Sequence, residues 1–121
     1  MSALDIWVGA PYREFDCYDL LRHAADDLFD IEYPELGFDY YADPTGAIEL
    51  ELRSNWRWNK LMEPELGCIV LLSTGGIARH VGLWLGNGEI LHTTRKMGSV
   101  IQDIQTIERY YDVEGYFTWA A

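Results

Sequence analysis

Basic residues are scarce in this sequence, with nine Lys and Arg against twenty Asp and Glu and a formal net charge of −11. A surface so negative repels the phosphate backbone of nucleic acid and the anionic face of a membrane, so neither is an expected partner. No apolar run approaches the roughly 18 residues that a membrane-spanning helix needs. The opening Met1-Ser2-Ala3-Leu4-Asp5-Ile6-Trp7 lacks the basic patch and apolar stretch of a secretory signal, so the chain is expected to be made in a cytoplasm without an export signal of its own.

Cysteine is rare too, with two residues in unlike settings: Cys17 follows an acidic residue, and Cys68 precedes the apolar run Ile69-Val70-Leu71-Leu72. Without an export signal a structural disulfide between them is not expected. Neither Cys-x-x-Cys nor His-Glu-x-x-His occurs, so no metal is expected, although Cys17, His80 and His92 are of zinc-ligand type. The four prolines, at 11, 34, 44 and 64, are scattered as punctuation, and no repeat or linker divides the chain. Residues 1–121 are therefore read as one domain.

What the sequence does have is core material: 49% apolar residues, with eight Tyr, five Trp and four Phe. Asp16 is a good N-cap, and Tyr18, Leu20, Leu21, Ala24, Ala25, Leu28 and Phe29 recur at helical spacing until Tyr33-Pro34 stops the pattern. Cys17 thus falls in a first helical turn. Asp43-Pro44 is a second start signal; the stretch from Ala47 to Leu52 alternates apolar and acidic residues, and we read it as helix. From Gly67 onward the runs are short and β-rich: Cys68 to Ser73, His80 to Leu85, Glu89 to Thr93, Ser99 to Asp103 and Gly115 to Trp119. Gly86-Asn87-Gly88 is a strong hairpin turn. The expected fold is α+β, with N-terminal helices packed on a small antiparallel meander.

A thiol attacks as its thiolate, and a cysteine with an ordinary pKa near 8.5 is mostly protonated at neutral pH. A helix start offers a remedy, because its unpaired amides and aligned dipoles amount to roughly half a positive charge. A histidine that takes the proton adds to the effect, and a second group on its far nitrogen fixes its tautomer. The hairpin places His80 six residues before the turn and His92 four after it, so Cys17, His80 and His92 are the candidate nucleophile, base and orienting residue. Whether the histidines share a face depends on strand register. The plainer readings stand beside this one: a lone cysteine at a helix start is commonly a small buried apolar residue, and His23 reads as surface or packing.

Pro11-Tyr12-Arg13, Phe15-Asp16-Cys17, Gly67 before an apolar strand, His80-Val81-Gly82-Leu83-Trp84-Leu85-Gly86-Asn87-Gly88 and Ile90-Leu91-His92 together resemble the NlpC-type family of papain-like peptidoglycan peptidases. The twelve-residue step from His80 to His92 (92 minus 80) equals that family's step between base and orienting histidine. The resemblance implies a minimal papain-like fold, no cofactor, and cleavage of amide bonds in the peptide stems of peptidoglycan, typically between D-glutamate and a diamino acid. It implies that Cys17 attacks the carbonyl, His80 takes and returns the proton, His92 holds His80, and Tyr12 lies beside the developing oxyanion. The aromatic Tyr18, the acidic composition, the short build and the exit Ile31-Glu32-Tyr33-Pro34 most resemble the branch encoded with bacteriophage tail genes. That branch implies synthesis in the bacterial cytoplasm, a place in the virion tail, and other tail proteins as partners.

The chain departs from the family's pattern at three places. Only Glu14 and Phe15 separate Arg13 from Asp16, where members carry a longer Gly-rich loop. Asp19 replaces a glycine and brings a carboxylate within a helical step of the thiol, a charge that opposes thiolate formation unless water screens it. Cys68 stands where an acidic residue commonly follows the glycine, and reads as an adjustment of the core. A tail assembly protein that kept the fold is the alternative, favoured by the exposed-looking aromatics Trp56, Trp58 and Tyr110-Tyr111. Acyl transfer and thioester hydrolysis by the same three residues also remain open.

Overall fold

The structure is a computed structural model that describes residues 6–9, 17–36, 47–94 and 96–120, with Arg79 described by its backbone. Tyr12, the Asp16 N-cap and the short approach to Cys17 lie outside the described residues. Helix α1 runs Cys17–Phe29 and α2 runs Ala47–Ser54. The strands are β1 (Trp58–Leu61), β2 (Ile69–Thr74), β3 (Ile77–Gly86), β4 (Glu89–Thr94), β5 (Gly98–Asp103) and β6 (Asp112–Trp119), with a short helix α3 (Ile104–Ile107) before the last.

Helix α1 forms where the apolar spacing demands it, and its buried face is Cys17, Tyr18, Leu20, Leu21, Ala24 and Ala25. It ends at Phe29, ahead of the Tyr33-Pro34 signal, because Asp30 takes a left-handed φ of 56° and the Ile31 amide turns back to the Ala25 carbonyl. Tyr33 and Pro34 serve the core instead: the Tyr33 hydroxyl donates to the Gly67 carbonyl at 2.5 Å, and Tyr18 donates to the Pro34 carbonyl at 2.6 Å. In α2 the buried pair Ile48 and Leu52 sits one helical turn apart, and Glu49 and Glu51 are half-buried beside it. Glu51 of α2 accepts from the Trp58 indole at 2.7 Å and from Asn55 at 2.9 Å, which ties α2 to β1.

The strands form one antiparallel sheet in the order β1-β6-β2-β3-β4-β5. The expected meander holds for β2 to β5; β6 returns to pair with β2, and β1 closes the outer edge. Strand β1 escapes a reading of the sequence because Trp58-Asn59-Lys60-Leu61 has a burial pattern without alternation. It is set by the Trp58 tether and by pairing with β6. Trp58, expected to be exposed, is 6% exposed and packs on Tyr33 and Trp119.

Alternation along the strands divides the apolar residues into two layers. Ile69, Leu71, Val81, Leu83, Leu91 and Phe117 pack beneath α1 and α2. Val70, Leu72, Ile90 and Ile107 form a smaller cluster on the other face, with Trp84, Ile104, Tyr111, Val113 and Tyr116 against it. Among the described residues no helix is long and apolar enough to cross a membrane.

Candidate active site

The β3–β4 turn has Gly86, Asn87 and Gly88 at φ 93°, 54° and 76°. Asn-Gly with both φ values positive is the tight turn whose twist matches that of a hairpin. Gly86 pairs with Glu89, yet Trp84 pairs with Ile90 and Leu83 with Leu91, so Leu85 is an extra residue bulged out of β3. That bulge decides the site. A register running unbroken from the turn would set His92 opposite Leu83, on the face away from His80. The observed register, continued by one pair, sets His92 opposite Gly82, with His80 two residues along β3 on the same face.

His80 also pairs directly with Leu72 of the smaller cluster, which confirms the face. His80 Nε2 and His92 Nδ1 are 2.9 Å apart, with the rings edge to face at 5.1 Å and 78°. His92 Nε2 lies 2.7 Å from Oε1 of Gln102 on β5, the strand that pairs with β4 on its other side. Tyr111 stacks on His80 at 4.9 Å and 14°, and meets His92 edge-on at 6.4 Å. Neither Gln102 nor Tyr111 was singled out from the sequence. Tyr111 was grouped with Tyr110 as exposed-looking; Tyr110 is exposed, while Tyr111 is half-buried against the histidines. The alternation of β5 could have pointed to Gln102, since it shares a face with the residue opposite His92, Val100.

Cys17 is the first residue of α1, 3% exposed, in the cluster packed over Val81, Leu83 and Leu91. His80 and His92 stand on β3 and β4, the strands against which α1 packs. Tyr111 links Cys17 to the histidines: its ring lies on His80, and burial followed by the nearby Cys17 holds back its ionisation. Asp19 is half-buried in the first turn of α1, where the helix dipole favours a carboxylate. His23 is exposed, beside Arg22, in keeping with its surface reading.

Burial, and then the neighbouring His92, push His80 from 6.5 down to about 3. Burial lowers His92 as well, with the Gln102 hydrogen bond acting the other way. The pair therefore rests as two neutral imidazoles, the form that can accept a proton, while burial weakens His80 as a base. Neither Cys17 nor Cys68 forms a disulfide; Cys68 is 0% exposed and burial pushes its thiol up to about 11, so it stays protonated and inert. Among the described residues no three His, Cys, Asp or Glu side chains converge as metal ligands would.

Comparison with known proteins agrees with this architecture. Over 105 aligned residues the chain is 23% identical to the murein DD-endopeptidase MepS/murein LD-carboxypeptidase of Escherichia coli K12, covering 81% of this chain and 50% of that protein. The chain thus spans about half the length of the curated relatives it matches. The NlpC/p60 domain of the peptidoglycan hydrolase SagA superposes with a TM-score of 0.61 at 14% identity, covering 96% of this chain and 92% of that one. NlpC1 from Trichomonas vaginalis does so at 0.62 and 19%, covering 96% of this chain and 43% of its own. These likenesses show the fold. The profile of the NlpC/P60 family matches residues 6–114, nearly the whole sheet and both long helices, and the chain belongs to that family.

Proposed function

We propose that this protein is a cysteine endopeptidase that hydrolyses amide bonds in peptidoglycan stem peptides, with Cys17 as nucleophile, His80 as base and His92 as the residue that orients His80. The observation that carries the reading is the His80–His92 contact of 2.9 Å between neighbouring strands, in a chain of the NlpC/P60 family. His92 occupies Nε2 of His80, which leaves Nδ1 for the thiol. In the first step the Cys17 sulfur bonds to the amide carbonyl carbon while His80 takes the thiol proton. The carbon–nitrogen bond then breaks as His80 hands that proton to the departing amine. Water, deprotonated by His80, cleaves the acyl thioester and restores the thiol. No cofactor enters these steps.

Purified protein is expected to release new amino groups from peptidoglycan fragments, and Cys17→Ala to lower that rate at least about 10⁴-fold with the far-ultraviolet dichroism unchanged. Hydrolysis that survives the substitution overturns the assignment.

The finer placement proposed is a bacteriophage tail, where the enzyme opens the wall locally during infection in company with other tail proteins. A net charge of −11 gives no help in approaching a wall rich in anionic polymers, so a carrier that delivers the enzyme fits it. Trp56, Met62 and Tyr110, exposed at 80%, 97% and 69%, offer apolar surface for assembly. Mass spectrometry of purified virions from the phage that encodes the chain is expected to find it at a fixed ratio to tail subunits. Its absence from intact virions overturns the placement while leaving the peptidase assignment standing.

A further inference from the structure

We propose that Gln102 is a positioning residue that sets the protonation pattern of the whole histidine pair, by anchoring a one-way line of hydrogen bonds from β5 through His92 to His80. The inference rests on the peptidase reading for its catalytic meaning, while the line itself is a property of the resting protein.

The argument follows from what each atom can do. Gln102 presents Oε1 to His92 Nε2 at 2.7 Å, and a carbonyl oxygen only accepts. The proton of that bond must therefore sit on His92 Nε2. A neutral imidazole has a single N–H, so His92 Nδ1 carries a lone pair. That lone pair faces His80 Nε2 at 2.9 Å, and the contact is a hydrogen bond only if His80 Nε2 bears the proton. By the same rule His80 Nδ1 is bare, the form in which it can remove a proton from a thiol. Turning the amide end for end reverses every link: its NH₂ would donate to His92 Nε2, His92 Nδ1–H would donate to His80 Nε2, and Nδ1 of His80 would be blocked by a proton. One uncharged side chain thus decides whether the base is competent.

The register makes the line possible. Gln102 pairs with Ile90 and Val100 with His92, so Gln102 reaches His92 along the diagonal of the β4–β5 ladder, as His80 does from β3. His92 is 1% exposed, so water has little access to substitute for the amide. Tyr111 packs edge-on to His92 and face-on to His80, which limits how far either ring can turn.

The test combines imidazole nitrogen NMR on the whole protein with kinetics on peptidoglycan fragments. At neutral pH the wild type is expected to show both histidines protonated at Nε2 and bare at Nδ1. Gln102→Met, similar in length and without an acceptor, is expected to give mixed tautomers and to lower kcat about 10- to 100-fold with KM little changed. Gln102→Glu keeps the acceptor and adds a charge. It is expected to retain the pattern and most of kcat while moving the acid limb of the rate profile to higher pH, because a carboxylate favours imidazolium. His80 protonated at Nδ1 in the wild type overturns the proposal, as does a Gln102→Met protein with unchanged tautomers and kcat. Should Gln102→Met fail to fold, the wild-type spectrum and the acid limb of Gln102→Glu decide. A wild type that shows the expected tautomers without any hydrolysis upholds the line and overturns the peptidase reading alone.

Discussion

Replacing His80 by glutamine is expected to lower hydrolysis of peptidoglycan amide bonds about 10³- to 10⁴-fold, since glutamine can neither take the thiol proton nor return it to the amine. The same substitution is expected to change the response to acid. His80 titrates at about 3 in the folded protein and at its ordinary 6.5 once unfolded. Between those values the unfolded chain binds a proton that the folded one does not. The contribution of neutral His80 to stability is therefore fully present above pH 6.5 and is lost as pH falls toward 3, at up to about 1.4 kcal/mol per pH unit. Urea titrations between about pH 6.5 and 5, above the ordinary carboxylate range, are expected to show a shallower decline in His80→Gln than in the wild type. A resting thiolate–imidazolium pair would give the opposite sign, because His80 would then hold its proton more firmly folded than unfolded. A steeper decline in the variant would overturn the neutral resting state.

Gly82→Ala is expected to cost about 1–3 kcal/mol of stability and to reduce activity by more than the loss of folded protein explains. An added Cβ would stand 2.5 Å from Ile90 Cγ2, 3.2 Å from the Leu91 carbonyl oxygen and 3.4 Å from His92 Cβ. Ile90 is 0% exposed among Val70, Leu72 and Ile107 and has no room to withdraw, and the Leu91 oxygen is backbone. The strands must part where His92 faces Gly82, and the 2.9 Å contact between the histidines lengthens. Urea unfolding measures the first effect, and kcat at a temperature where the variant is fully folded measures the second. In a Gly82→Ala, Ile90→Ala double variant the two costs should add to less than their sum, because removing Cγ2 vacates the space the new methyl needs. Wild-type stability and kcat in Gly82→Ala would sink the claim that this glycine sets the strand spacing at the site.

How much of this was legible in the sequence depended on whether the signal was local. The buried face of α1 and the strands β2 to β5 were written in periodicity, and Gly86-Asn87-Gly88 announced its turn. The two-residue spacing of Ile48 and Leu50 did suit a strand, but Leu50 is exposed and the buried partner of Ile48 is Leu52, one helical turn on. The return of β6 to the side of β2 was not local, because pairing between distant segments leaves no mark on either. Strand β1 and helix α3 lean on side-chain anchors that composition does not announce: the Trp58 indole on Glu51, and the Asp103 carboxylate capping the Thr106 amide at 2.7 Å.

The site divides along the same line. Cys17, His80 and His92 are candidates by residue type and spacing, and the structure brings the two histidines into contact. Their common face was hidden, because it depends on whether one residue in β3 is paired or bulged. Tyr111 and Gln102 were hidden for a related reason: an aromatic on a ring and an amide on an imidazole are ordinary residues until the fold places them there.

The extra residue in β3 also constrains the length of the hairpin. Since neighbouring side chains on a strand point to opposite sides, removing Leu85, or adding one residue anywhere between Trp84 and Ile90, would turn the His92 ring to the other side of the sheet and break its contact with His80. Changes of two residues would preserve it. Natural variation in this hairpin is therefore expected to obey parity, with relatives differing from this chain by even numbers of residues between the two histidines, or by none.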